Sequence, residues 1–411
     1  MLFFAAAAAV IAVITLQYFL YKKHCFDNVV YRAFFSSDEV YTGDDVYLYE
    51  ELRNNGRLPL PYIRIETDLP DGLMFTLLED SSAGTVRSSE KSEEKGTGRL
   101  RARYEKAVHS TFVLRPNSKI TRRWRVICGR RGDYALEGVT ATATDILGYL
   151  ITSKRIEPEE GVRNKLTVLP LPGELDGKYA SSRYICGDAI SNTCPVTDPV
   201  RICGSREYTA SDPMNRINWK STAVHGKLMV NIEEKTVRHR YSVMLNMNSR
   251  EIEQFPDRPS DPPSVEKCIV LCASILDRIA REDLPVSFFV NSEPEPGTGK
   301  EAVSDDETGS RITAAGPFRG KSDMVYALRL LAGLDMTISV PADRMFDHVA
   351  AHPELYSSNE NLIIVSPYFD SRMLNLGKAM RERGVHVIYY ISTSRNSVGQ
   401  IPSDADVYFR L

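Results

Sequence analysis

The richest chemistry in this 411-residue sequence is packed between residues 206 and 220. Arg206, Glu207, Tyr208, Asp212, Arg216, Trp219 and Lys220 set alternating charges around two aromatic rings. Arginine can grip a carboxylate through two parallel hydrogen bonds, and its plane stacks on rings. Such a set can brace a junction between domains. It can also dock a partner, because tryptophan, tyrosine and arginine are common interface anchors. Glu207 and Asp212 offer a third reading, a carboxylate pair for acid–base work. The spacing names no substrate, so no residue takes a catalytic role and the chain reads as a binding protein.

Elsewhere the chemistry is sparse. Cys268 and Cys272 stand at i, i+4 on one helix face, where two thiolates can begin a zinc site. No second pair or nearby histidine completes it, so both read as core cysteines. His348 and His352 share that spacing without the H-E-x-x-H pattern. There is no nucleophile elbow, phosphate loop or dinucleotide fingerprint, and no cofactor or metal is expected. The 7 cysteines are odd in number and irregular in spacing, which fits reduced thiols in a cytoplasmic compartment. A net charge of -3 argues against a nucleic-acid partner. The basic run at 99–131, with Arg99, Arg101, Arg103, Lys119, Arg122, Arg123 and Arg125, reads as a solvated face paired with acidic loops. Contact with anionic lipid headgroups is its sharper alternative.

Four segments must position these groups. Residues 2–21 form an uncharged apolar run followed by Lys22, Lys23 and His24. About 20 helical residues span a bilayer core of about 30 Å, and the lysines place the following chain on the cytoplasmic side. Residues 1–24 therefore read as a single-pass cell-membrane anchor that contacts lipid. Residues 27–156 show short β-branched and aromatic runs cut by turn signals such as Asn54-Asn55-Gly56, the pattern of a β-sandwich-like domain. A polar loop is expected at 81–98 and an acidic excursion at 292–309. Residues 166–238 join the domains and carry the motif. Residues 239–411 alternate strands with helical periods, which argues for an α/β domain with an open, mostly parallel sheet.

The central segment resembles the domain-of-unknown-function 58 family. Its Arg206-Glu207-Tyr208, Asp212, Arg216-Ile217-Asn218-Trp219-Lys220 and Leu228-Met229-Val230 follow that family's motif. Arg130-Arg131-Gly132-Asp133-Tyr134 and Asp145-Ile146-Leu147-Gly148 match its upstream elements. Ser211 departs from the pattern where a glycine is usual, and one apolar segment stands where the family often has two. The resemblance implies a von Willebrand factor A-like C-terminal domain. Such domains bind Mg²⁺ through an aspartate–serine loop, and the matching positions here are Asn246, Asn248 and Arg250. The anionic ligand is gone, so no metal is expected there. The resemblance also implies a MoxR-type AAA+ ATPase as partner. The expected function is then a membrane-anchored adaptor or scaffold in protein assembly or maturation. The alternatives are an enzyme with a carboxylate site at the domain junction, or a purely structural envelope-associated protein.

Overall fold

The computed structural model describes residues 2–68, 70, 72–80, 107–136, 138–145, 148, 150–159, 164–175, 196–210, 212–236, 240–293, 302–305, 311–351, 360–392 and 406–409. The polar loop expected at 81–98, the basic positions 99, 101 and 103, Ser211 and His352 lie outside the described residues. The chain divides into two compact units, Met1–Leu171 and Pro172–Leu411.

The first unit begins with helix α1 (Leu2–His24). Alanines and leucines favour the helix, and the basic last turn suits its negative end. Two four-stranded antiparallel sheets follow. One has the order β1 (Val29–Phe35), β3 (Asp45–Asn54), β7 (Ser118–Cys128), β5 (Leu73–Asp80). The other has the order β10 (Ile151–Ile156), β9 (Val139–Thr144), β4 (Leu60–Asp68), β6 (Ala107–Leu114). Strict alternation in β3 turns Val46, Leu48 and Leu52 inward. They share one core with Val126 of β7, Ile63 and Ile65 of β4, and Val139 of β9. A small third sheet joins β2 (Glu39–Tyr41), β11 (Lys165–Leu169) and β8 (Gly132–Ala135).

The membrane anchor is corrected. No helix of the described residues is long and apolar enough to cross a membrane. Two polar side chains of α1 bond to the β unit that follows it. Gln17 Nε2 donates to Asp145 Oδ2 at 3.1 Å, and Tyr21 Oη donates to the Pro59 carbonyl at 2.6 Å. Tyr21, Cys25 and Phe26 are buried in the shared core. A single-pass cell-membrane protein is therefore not supported.

The basic face is also rearranged. Arg122 is 4% exposed and lies opposite Glu50 across β3 and β7. Arg125 pairs with Asp45, and Lys119 with Glu51, so these residues of the run meet carboxylates of strand β3.

The second unit opens with the hairpin of β12 (Val196–Glu207) and β13 (Met229–Thr236). A seven-stranded sheet follows in the order β16 (Ala302–Asp305), β17 (Arg311–Phe318), β15 (Val286–Val290), β14 (Arg240–Leu245), β18 (Glu360–Ser366), β19 (His386–Ile391), β20 (Asp406–Phe409). The five strands from β15 to β20 in that order run parallel, and β16 and β17 form an antiparallel edge. A short connection permits only antiparallel pairing, and β16 lies inside the stretch expected as an acidic excursion. Helix α3 (Pro262–Arg281) buries a broad stripe that includes Val265, Ile269, Leu276 and both Cys268 and Cys272.

The expected architecture, an anchor, one β-sandwich-like domain and a von Willebrand factor A-like domain, is thus corrected. The described chain is β-rich, with several antiparallel sheets and no helix able to span a bilayer.

Candidate functional site

The motif occupies the elaborated end of the β12–β13 hairpin. Register pairs Arg206 with Val230 and Glu207 with Met229. Between them the Asp212 N–H donates back to the Thr209 carbonyl at 2.9 Å, and a 3₁₀ turn at Met214–Arg216 and the short helix α2 (Trp219–His225) follow. Ile217, Met229 and Val230 are buried beneath it. Asn218 caps α2, its side-chain oxygen accepting from the Ser221 N–H at 2.9 Å. The helix stops at Gly226, whose φ of 68° lies in the left-handed region that a side chain would resist.

Arg206 grips Asp212 with two hydrogen bonds, Nη1 to Oδ2 at 2.7 Å and Nη2 to Oδ1 at 2.5 Å. Thr209 donates twice to the same carboxylate, from its N–H at 2.9 Å and its hydroxyl at 2.7 Å. The guanidinium first, then the Thr209 donors, hold the Asp212 carboxyl well below the usual carboxylate range. Glu207 turns elsewhere, accepting from Lys227 at 2.9 Å. The two carboxylates answer different cations and do not converge on one centre. Asp212 is ionised at neutral pH and has no proton to give.

The remaining motif residues divide by exposure. Tyr208 is half-buried, its N–H bonded to the Leu228 carbonyl at 2.8 Å. Arg216 and Lys220 are exposed. Trp219 is 67% exposed, and Met214 and Val224 of the same segment are 70% and 76% exposed. Thr209, Asn218 and Lys227 complete the scaffold and were not singled out by the sequence pattern. The signal for Asn218 was present: an asparagine followed three residues later by Ser221 at the start of a helix.

A second polar cluster lies where β14, β15 and β18 end. Asn246 is fully buried and donates from Nδ2 to Ser366 Oγ at 3.1 Å. Its Oδ1 accepts from the Asn248 N–H at 2.9 Å. Asn248 Oδ1 accepts from Asn291 Nδ2 at 2.8 Å. Asn291 also donates to the Val340 carbonyl at 2.9 Å and accepts from the Met247 N–H at 2.8 Å. These neutral amides consume one another and tie three strand ends together. Arg250 is exposed, and its N–H donates to Glu253 Oε1 at 3.2 Å. Burial pushes the Glu253 carboxyl up, but bonds from Ser260 and Ser249 outweigh it and leave it below its ordinary value. Asp370, at the start of α6 (Ser371–Glu382), is raised by burial against the backbone bond it accepts from Met373. Helices α4 (Gly320–Ala332) and α5 (Ala342–Ala351) precede α6 in the chain. No group of three or more His, Cys, Asp or Glu among the described residues is arranged to hold a metal ion. Cys268 and Cys272 are buried free thiols, Cys268 pushed up to about 12 by burial.

No family model and no curated protein matches this chain. Similar solved structures include the full-length major pilin SpaD from Corynebacterium diphtheriae, at 10% identity and a TM-score of 0.23, covering 31% of this chain and 33% of that one. The chain thus spans about a third of that pilin's length. A non-cellulosomal cohesin from Archaeoglobus fulgidus aligns at 14% identity and a TM-score of 0.21, covering 32% of this chain and 94% of the cohesin. A cohesin module from a Clostridium perfringens family 33 glycoside hydrolase gives 14% identity, a TM-score of 0.20 and coverage of 32% and 98%. These neighbours are pilin and cohesin modules and not proteins of the resembled family. Likenesses this weak carry no functional conclusion.

Proposed function

We propose that this chain is an adaptor that presents the end of the β12–β13 hairpin to a protein partner, a MoxR-type AAA+ ATPase, in protein assembly or maturation. One observation carries the reading: Trp219, Met214 and Val224 stand exposed on a platform fixed from below by hydrogen bonds and ion pairs. A large exposed aromatic side chain on a rigid base is what an interface anchor requires. The identity of the partner rests on the motif's family resemblance. The enzyme alternative has less support, because Asp212 and Glu207 are each committed to a separate cation.

Affinity purification of the intact protein from its own cells tests this, with Trp219→Ala and Arg216→Ala variants alongside. Recovery of an AAA+ ATPase by the wild type, lost from folded variants, is the expected outcome. Failure of every version to recover an ATPase would remove that partner from the reading.

A further inference from the structure

In the first unit, the turn between β3 and β4 is fixed from inside. Asn54 is 2% exposed, and its Nδ2 donates to the Leu58 carbonyl at 2.8 Å and to the Arg115 carbonyl at 3.3 Å. Its Oδ1 accepts from the Gly56 N–H at 2.8 Å, and the Asn55 N–H donates to the Asn28 carbonyl at 2.8 Å. Two cavities open beside this turn, and the exposed Asn55 lines both. One, of about 370 Å³, also takes in His24, Asp27, Asn28 and Arg57. The other, of about 170 Å³, takes in Arg32, Glu51, Arg53, Lys119 and Glu159.

The carboxylates of both cavities are already answered. Asp27 meets His24 Nδ1 at 2.6 Å, Glu159 pairs with Arg32, and Glu51 lies 3.5 Å from Lys119 Nζ. Arg53 and Arg57 are exposed and meet no carboxylate among the described residues. Register sets Arg53 directly opposite Lys119 across β3 and β7, and like charges facing each other across a strand pair destabilise it. An anion seated at this end of the sheet turns that repulsion into attraction.

We propose that the turn at 54–58 binds a phosphate group, held by Arg53 and Arg57 with Lys119 and the Asn55 amide beside them. A single guanidinium fork suffices for a carboxylate, as Arg206 shows with Asp212. Two guanidiniums flanking one asparagine suit a group with several acceptor oxygens and a charge of about -2, which is a phosphate monoester. The backbone beneath them is fixed before binding, so little ordering is needed. The same chemistry is carried by a soluble phosphomonoester and by an anionic lipid headgroup. Lys22 and Lys23, exposed in the last turn of α1, adjoin His24 at the larger cavity. The hairpin end of the second unit plays no part in this site.

Calorimetric titration of the full chain with inorganic phosphate and with phenyl phosphate tests the soluble source. Co-sedimentation with phosphatidylcholine vesicles, with and without phosphatidic acid, tests the lipid source, read as the gain that phosphatidic acid brings. Arg53→Gln, Arg57→Gln and the double variant are run alongside, with Arg258→Gln as the control. All three arginines are exposed, so the thermal melt should not move. The wild type is expected to bind phosphate from at least one source, each single change at Arg53 or Arg57 to weaken binding about tenfold, and the double change to abolish it. Arg258→Gln should bind as the wild type does. Uptake of free phosphate that the double variant loses assigns a soluble phosphomonoester. A vesicle gain that the double variant loses assigns a lipid headgroup. No binding from either source, or binding that the double variant retains, overturns the site.

Discussion

Two carboxylates in this molecule are held by arginines under opposite conditions. Glu50 is 4% exposed in the first unit, inside the sheet β1-β3-β7-β5. Its Oε1 accepts from Tyr31 Oη at 2.8 Å and its Oε2 from Trp124 Nε1 at 2.6 Å, with Arg122 Nη2 at 3.6 Å. Asp212 lies near the surface of the second unit, in a bidentate grip from a half-exposed Arg206. In the interior the neutral donors are short and the cation is farther away. At the surface the cation is close and the geometry is a fork. Charge taken out of water needs every lone pair answered, whereas charge near water needs only orientation. The first pair therefore belongs to the core and the second to the pose of a loop.

The largest effect should come from breaking the interior arrangement. Glu50→Ala removes a carboxylate that faces the buried Arg122 and leaves Tyr31 and Trp124 without that acceptor. A loss of about 3–5 kcal/mol is expected. By calorimetry the first unit should melt lower by on the order of 10 °C. A double change, Glu50→Leu with Arg122→Met, should recover most of it, because apolar replacements of buried ion pairs are often neutral. A single variant that melts within a degree of wild type would show that Glu50 is not the keystone of that sheet.

A smaller step sharpens the contrast. Trp124→Phe keeps most of the buried ring but deletes the donor to Glu50 Oε2, at a cost of about 1–3 kcal/mol. The Arg122 guanidinium lies 5.5 Å from the Trp124 ring centre, so some ring–cation attraction survives in Phe. Urea unfolding measures the change. A cost equal to that of Glu50→Ala would mean that the indole, and not the carboxylate, organises the cluster.

How much of this was legible in the sequence follows from the kind of order involved. The β3 register was readable: Val46, Leu48 and Leu52 alternate, and Glu50 falls in the same inward series. In β7, Arg122 falls between inward Ile120 and Trp124 in the same way. Reading the basic residues as a run hid this, since composition along a chain does not see which face a residue takes. The apolar run of α1 was equally visible, but its meaning depended on Asp145 and Pro59, contacts more than thirty positions away that no local pattern encodes. The antiparallel β16–β17 edge was masked by acidic and glycine-rich composition. At the motif the residue types were clear, whereas the pairing of Arg206 with Asp212 depends on the hydrogen bonds that tie Asp212 back to Thr209. The outward aim of Trp219 depends on Ser221 and Thr222 taking the inward side.

The gentlest test concerns the pH response of the surface pair. Asp212 is held below its unfolded value of about 3.9. A depressed carboxyl contributes stability that is fully present above the unfolded value and is lost as pH falls through the folded one. The Thr209 amide, which donates to Asp212 Oδ2, should therefore hold its NMR position from pH 7 to about pH 4 and move only below that. In Asp212→Asn that titration should vanish while the global melt stays close to wild type, because the lost fork orients a loop and does not answer a buried charge. Trp219 emission should then report a less ordered environment with the fold intact. If Asp212→Asn instead lowers the melt as far as Glu50→Ala does, the division between an interior keystone and a surface brace fails, and the hairpin end must be counted as part of the second unit's core.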